Sequence, residues 1–111
     1  MPELAYTVYT TFRDPALADD WLRWLRDGHI AAVLAGGASD GEIIELDPAA
    51  DAPAGSRAFE VRYHFPTRES FAFYEEEHAP RLRAEGLKLF PVERGVSYRR
   101  AVGVALTRTL R

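Results

Sequence analysis

The chain has no cysteine in its 111 residues, which excludes disulfides, thiolate metal sites and cysteine nucleophiles. Lysine is nearly absent: Lys88 stands alone, and every other basic chain residue is arginine. No apolar run approaches the ~20 residues that cross a bilayer. The opening Met1-Pro2-Glu3-Leu4 lacks the basic region and apolar core of a standard secretory signal, so a cytoplasmic address is expected. No Gly-x-Ser-x-Gly elbow surrounds Ser39, Ser56, Ser70 or Ser97, and neither a P-loop nor a dinucleotide fingerprint occurs. Neither a cofactor nor a metal is expected. The net charge of −3 argues against a dedicated nucleic-acid binder. Residues 94–111 carry five arginines and no acid, yet no aromatic interleaving accompanies them, so they read as a solvated strand and tail.

What is present is the material of a core. Hydrophobic residues make up 47% of the chain, which suits one domain over 1–111 with a core at about 4–102 and a tail at 103–111. The organising stretch is Asp14 to His29. Asp14 is an N-cap and Pro15 fits the first helical position. Leu17, Ala18, Trp21, Leu22, Trp24 and Leu25 form one apolar stripe. Gly28 ends this run, and a shorter one, Ile30 to Leu34, closes at Gly36-Gly37. Two tryptophans on one stripe require a broad partner surface, most simply a sheet.

Strands are read from alternation. Residues 3–12 place Leu4, Tyr6, Val8 and Phe12 on one side and Ala5, Thr7, Tyr9 and Thr11 on the other. Residues 39–47 make a second strand, and 48–56 form a proline- and glycine-bearing loop. Arg57 to Phe65 alternates cleanly, with Phe59, Val61, Tyr63 and Phe65 inward and Ala58, Glu60, Arg62 and His64 outward. Thr67 caps a second helix with Phe71, Tyr74 and His78 on its stripe. Pro80 interrupts that helix, Ala79 to Glu85 resumes it as far as Gly86, and 87–92 make a turn. Glu93 to about Leu106 is the last extended segment.

A shift of 49 residues places Leu22 on Phe71, Leu25 on Tyr74, His29 on His78 and Gly37 on Gly86. Strand–helix–strand given twice is βαββαβ, a ferredoxin-like α+β fold with a four-stranded antiparallel sheet and both helices on one face. The other face would carry Thr7, Tyr9, Thr11, Glu60, Arg62 and His64. Strand two adds Ile43 and Glu45 or Ile44 and Leu46, and strand four adds Tyr98 and Arg100 or Ser97 and Arg99. A second copy covering this mixed face predicts a homodimer.

The pattern Trp21-Leu22-x-Trp24-Leu25, Gly28-His29-Ile30, Val61-Arg62-Tyr63, Tyr74, His78-Ala79-Pro80-Arg81-Leu82-Arg83 and Val96-Ser97-Tyr98-Arg99-Arg100 resembles a short bacterial family of unknown function. That family is similar in layout to the dimeric α+β barrel superfamily. The superfamily includes cofactor-independent monooxygenases of the antibiotic-biosynthesis type, small isomerases, haem-binding dismutases and stress-induced proteins. The resemblance implies fold and dimer, and carries no catalytic motif onto these residues.

Three functional classes follow. The first is a dimer that binds a small, partly apolar molecule between sheet and helices, with Tyr63, Tyr98 and Trp24 as ligand-binding residues. The second is a cofactor-independent monooxygenase or isomerase in the dimer cleft. There His64 and Arg62, with Tyr9, would abstract a proton and clamp an anionic oxygen. The third is a structural or interaction protein whose outward face is an interface bridged by Glu60, Arg62 and Arg99. His29 and His78 read as helix-end histidines bonding last-turn carbonyls. Arg81 reads as a partner for Glu77, and Glu75 to Glu77 as a solvated face.

Overall fold

Residues 3–111 are described by the computed structural model. Strand β1 (Leu4–Phe12) leads into α1 (Pro15–Trp24), a π-helical turn (Leu25–His29) and α2 (Ile30–Ala35). After β2 (Asp40–Leu46) and β3 (Arg57–Phe65) come α3 (Arg68–Glu77), α4 (Ala79–Leu89), a 3-10 turn (Val92–Arg94) and β4 (Val96–Val104). The sheet order is β2-β3-β1-β4, antiparallel throughout, which is the ferredoxin-like βαββαβ arrangement.

The local chemistry explains the boundaries. Asp14 Oδ1 accepts from the amide of Ala16 at 2.9 Å, and Pro15 spends no amide proton at the first helical position. Thr67 and Ser70 form a reciprocal capping box at the start of α3. Leu17, Ala18, Trp21 and Leu22 of α1 and Phe71, Tyr74 and Leu82 of α3 and α4 close on Leu4, Tyr6, Phe12, Phe59, Val61, Tyr63 and Phe65 of the sheet. Arg57 ties three elements together at one corner. Its guanidinium donates to Glu45 on β2 at 3.0 Å, to Asp19 on α1 at 2.7 Å and to the Pro15 carbonyl at 3.1 Å.

One reading of the helices changes. Gly86 does not end α4, which runs on to Leu89. A Cβ at Gly86 would stand 3.2 Å from the Trp24 ring, so this glycine serves a close approach between helices. The last strand begins at Val96, after the 3-10 turn of Val92–Arg94, and ends at Val104, within the extended segment expected from Glu93 to about Leu106.

The register settles the outward face. Its rows are Asp40–His64–Ala5–Gly103, Glu42–Arg62–Thr7–Ala101, Ile44–Glu60–Tyr9–Arg99 and Leu46–Ala58–Thr11–Ser97. Ile44, Leu46, Ser97 and Arg99 therefore face away from the helices, and Tyr98 and Arg100 face toward them. No described helix is long and apolar enough to cross a membrane.

Candidate functional site

A pocket of about 60 Å³ lies between the sheet and the helices, under the junction of α1 with the π-helical turn and beside α4. The three residues expected to bind a ligand, Trp24, Tyr63 and Tyr98, all line it. The aromatic lining follows from the sequence: Tyr63 is on the inward face of β3, and Trp24 is on the α1 stripe.

Polar groups in the pocket are what sequence reading passed over. Thr10 is fully buried at 0% exposure on the inward face of β1, and its Oγ1 has no hydrogen-bonding partner among the described residues. The same holds for His29 Nδ1 and Arg83 Nε. All three residues line this one pocket. An unsatisfied buried polar group costs about 1–3 kcal/mol, and these three atoms lie behind the pocket wall, closed to solvent. Tyr6 Oη sits among them and accepts from Arg83 Nη2 at 3.2 Å and from Arg100 Nε at 3.1 Å.

His29 bonds no last-turn carbonyl through Nδ1, contrary to expectation. It stacks on Trp24 instead, with ring centroids 4.1 Å apart and planes 24° from parallel. Burial lowers its pKa to about 4 against the opposing pull of Glu85, so the imidazole is neutral at pH 7. Its position depends on Gly28, whose non-helical φ of 150° kinks the chain between α1 and α2. Burial likewise pushes the Tyr98 hydroxyl up to about 12, and that hydroxyl donates to the Phe90 carbonyl at 2.6 Å. His78, the counterpart in the second half, lies 6.4 Å from the Tyr74 ring and nearly parallel to it, and packs on Gly36.

The residues expected to do cleft chemistry all lie on the outward face, where His64 and Arg62 line one concavity with Asp40 and Glu42, and Tyr9 stands outside it. His64 Nδ1 is 2.8 Å from Asp40 Oδ1 at the β2 side. Arg62 pairs with Glu60 at 3.2 Å, and Arg99 covers the Tyr9 ring at 4.1 Å instead of joining that pair. Tyr9 faces Glu60, and Ala5 faces His64. Four residues along a strand separate Tyr9 from the His64 row by roughly 13 Å. Arg81 makes no pair with Glu77; Arg83 pairs with Glu75 at 2.7 Å, so Glu75 is not merely solvated. No group of three metal-ligating side chains occurs among the described residues.

The profile of a family described as a domain of unknown function, DUF4286, matches residues 4–102. No curated protein matches the chain. Among solved structures, a dimeric ferredoxin-like protein from an uncultured marine organism superposes with a TM-score of 0.71 at 10% identity, covering 98% of this chain and 100% of its own. An ethyl tert-butyl ether d (ethd) family protein from Bacillus halodurans gives 0.63 at 10% identity, over 93% and 97% of the two chains. SnoaB, a cofactor-independent oxygenase from Streptomyces nogalater, gives 0.57 at 12% identity, over 99% and 97%. At these identities the likeness is one of fold.

Proposed function

The chain belongs to the DUF4286 family, and we propose that it is a small homodimeric protein that binds a small, partly apolar molecule between sheet and helices. The observation that carries this reading is an aromatic-lined pocket with Trp24, Tyr63 and Tyr98 on its walls and the Tyr6 hydroxyl, held by Arg83 and Arg100, at one end. Such a pocket, mostly apolar with a few placed polar groups, is the usual form of a small-molecule site. The dimer forms through the outward sheet face, where Tyr9, Ile44 and Leu46 lie among charged neighbours. The solved dimeric ferredoxin-like protein of similar fold supports a dimer.

A second reading, a cofactor-independent monooxygenase or isomerase in the dimer cleft, is favoured by the Asp40–His64 pair, because a carboxylate on Nδ1 orients an imidazole for proton transfer. A thermal-shift screen of phenols, quinones, keto acids and aromatic acids separates the two. A ligand at a hundred times its Kd adds about 2.7 kcal/mol, which a domain of this size registers clearly. The pocket reading expects hits that survive in His64→Ala and weaken in His29→Phe. Hits lost in His64→Ala and kept in His29→Phe sink it and favour the cleft.

A further inference from the structure

One end of the pocket has more hydrogen-bond donors than the protein uses. Tyr6 Oη accepts from two guanidinium groups, Arg83 and Arg100, at 3.2 and 3.1 Å. A hydroxyl has two acceptor sites and one hydrogen, so this oxygen is saturated as an acceptor. Its own O–H has no acceptor among the described residues. Arg100 donates through Nε alone, so its two Nη groups are also unspent. Glu75 balances the charge of Arg83 at 2.7 Å, while Arg100 lies within ion-pairing distance of no described carboxylate. The end that holds Tyr6 therefore carries about one uncompensated positive charge and two or more idle donors.

The remaining lining is flat and apolar: the Trp24–His29 stack, Tyr63 and Val61. Size adds a limit. The pocket's 60 Å³ is well under the ~150 Å³ of a dry cavity that holds benzene. A ring therefore reaches into the mouth, beside the exposed Leu87. The enclosed volume does not take a second fused ring.

We infer that the ligand is a single-ring aromatic carboxylate, its anionic oxygens held at the Tyr6 hydroxyl and Arg100 and its ring directed toward Trp24 and Tyr63. An acceptor-only group with negative charge uses the idle donors and offsets Arg100 at once. A neutral amide of the same shape brings further donors to an end already rich in them. This inference rests on the pocket being the binding site, and the experiment separates the two failures.

Benzoate, benzamide, acetate and 2-naphthoate are titrated into the full chain while the Trp24 indole resonance is followed by NMR, in wild type, Arg100→Gln and Arg100→Lys. Benzoate is expected to shift the Trp24 indole and to bind at least tenfold more tightly than benzamide, acetate and 2-naphthoate. Arg100→Gln should bring benzoate and benzamide within about threefold, and Arg100→Lys should restore part of the difference. Benzamide binding as tightly as benzoate, with the indole shifting, overturns the charge assignment and leaves the pocket reading standing. Benzoate binding that leaves Trp24 unmoved and ignores Arg100→Gln overturns both. Tight 2-naphthoate overturns the single-ring limit, and no benzoate binding up to tens of millimolar overturns the inference outright.

Discussion

Single residues decide the chemistry of the pocket, and two of them make direct predictions. His29 has a folded pKa of about 4 against an ordinary 6.5, because burial opposes its charged form. Below pH 6.5 the unfolded chain takes up a proton that the folded chain refuses, so stability falls as pH drops toward 4. Urea denaturation at pH 6.5 and pH 5 should show His29→Phe losing less stability over this window than wild type, by on the order of 1 kcal/mol. An equal loss in both proteins would mean that the imidazole is solvated in the fold. Thr10→Val replaces the unpartnered hydroxyl with a methyl group of similar shape. Unliganded, the variant should gain about 1 kcal/mol in the same measurement, since a desolvation cost disappears and no hydrogen bond is lost. Thr10 is legible as a type, since it interrupts an otherwise apolar inward face, whereas alternation leaves Arg100 with either facing on β4. What alternation also omits is that these two polar residues, on neighbouring strands, line the same pocket.

Helices and strands were mostly legible because their signals are local. Caps at Asp14 and Thr67, the break at Gly28 and the alternation of β1 and β3 all act over a few residues, and each is where its chemistry places it. Gly86 shows the limit of such signals. Glycine marks a helix end when the backbone needs a positive φ, and it marks a close approach when a neighbour needs the space; sequence alone reads the two alike. The two kinds respond differently to alanine. Gly28 has open space around its Cβ position but a φ of 150°, so Gly28→Ala is strained by backbone alone and should cost about 1–3 kcal/mol in thermal unfolding. Gly86 is helical, so Gly86→Ala gains helix propensity while pressing on Trp24 at 3.2 Å. Its signature is a shifted tryptophan emission with a stability change under about 1 kcal/mol, the two terms nearly cancelling. A large loss at Gly86 with unchanged emission would contradict that division.

At the scale of the molecule, the outward sheet face governs assembly. Ile44 lies there between the β2 edge and Glu60, half-buried and outside the core cluster. If two sheets meet through this face, Ile44→Glu buries a second carboxylate beside Glu60 in the dimer but leaves it in water in the monomer. Light scattering should then give a dimer for wild type and a monomer for Ile44→Glu, with a Tm that no longer rises with protein concentration. A monomeric wild type would remove the outward face as an interface. The shared fold with solved relatives carries no further here, since identities of 10–12% fix the backbone path and not the side chains on it.

By itself the sequence determined the element order, the inward faces of β1 and β3 and the stripe of α1, because periods of two and 3.6 are set by the backbone and are written residue by residue. It left β2 and β4 with two facings each, since a one-residue change of register reverses every side chain and short mixed strands do not fix it. Only the tertiary structure decided that Arg100 turns inward and Arg99 outward, that His29 stacks on Trp24, and that Tyr9 stands apart from His64. Those outcomes depend on pairing between strands far apart in the chain and on which helix overhangs them. Side chains distant in sequence meet by packing, and no local period encodes where they meet.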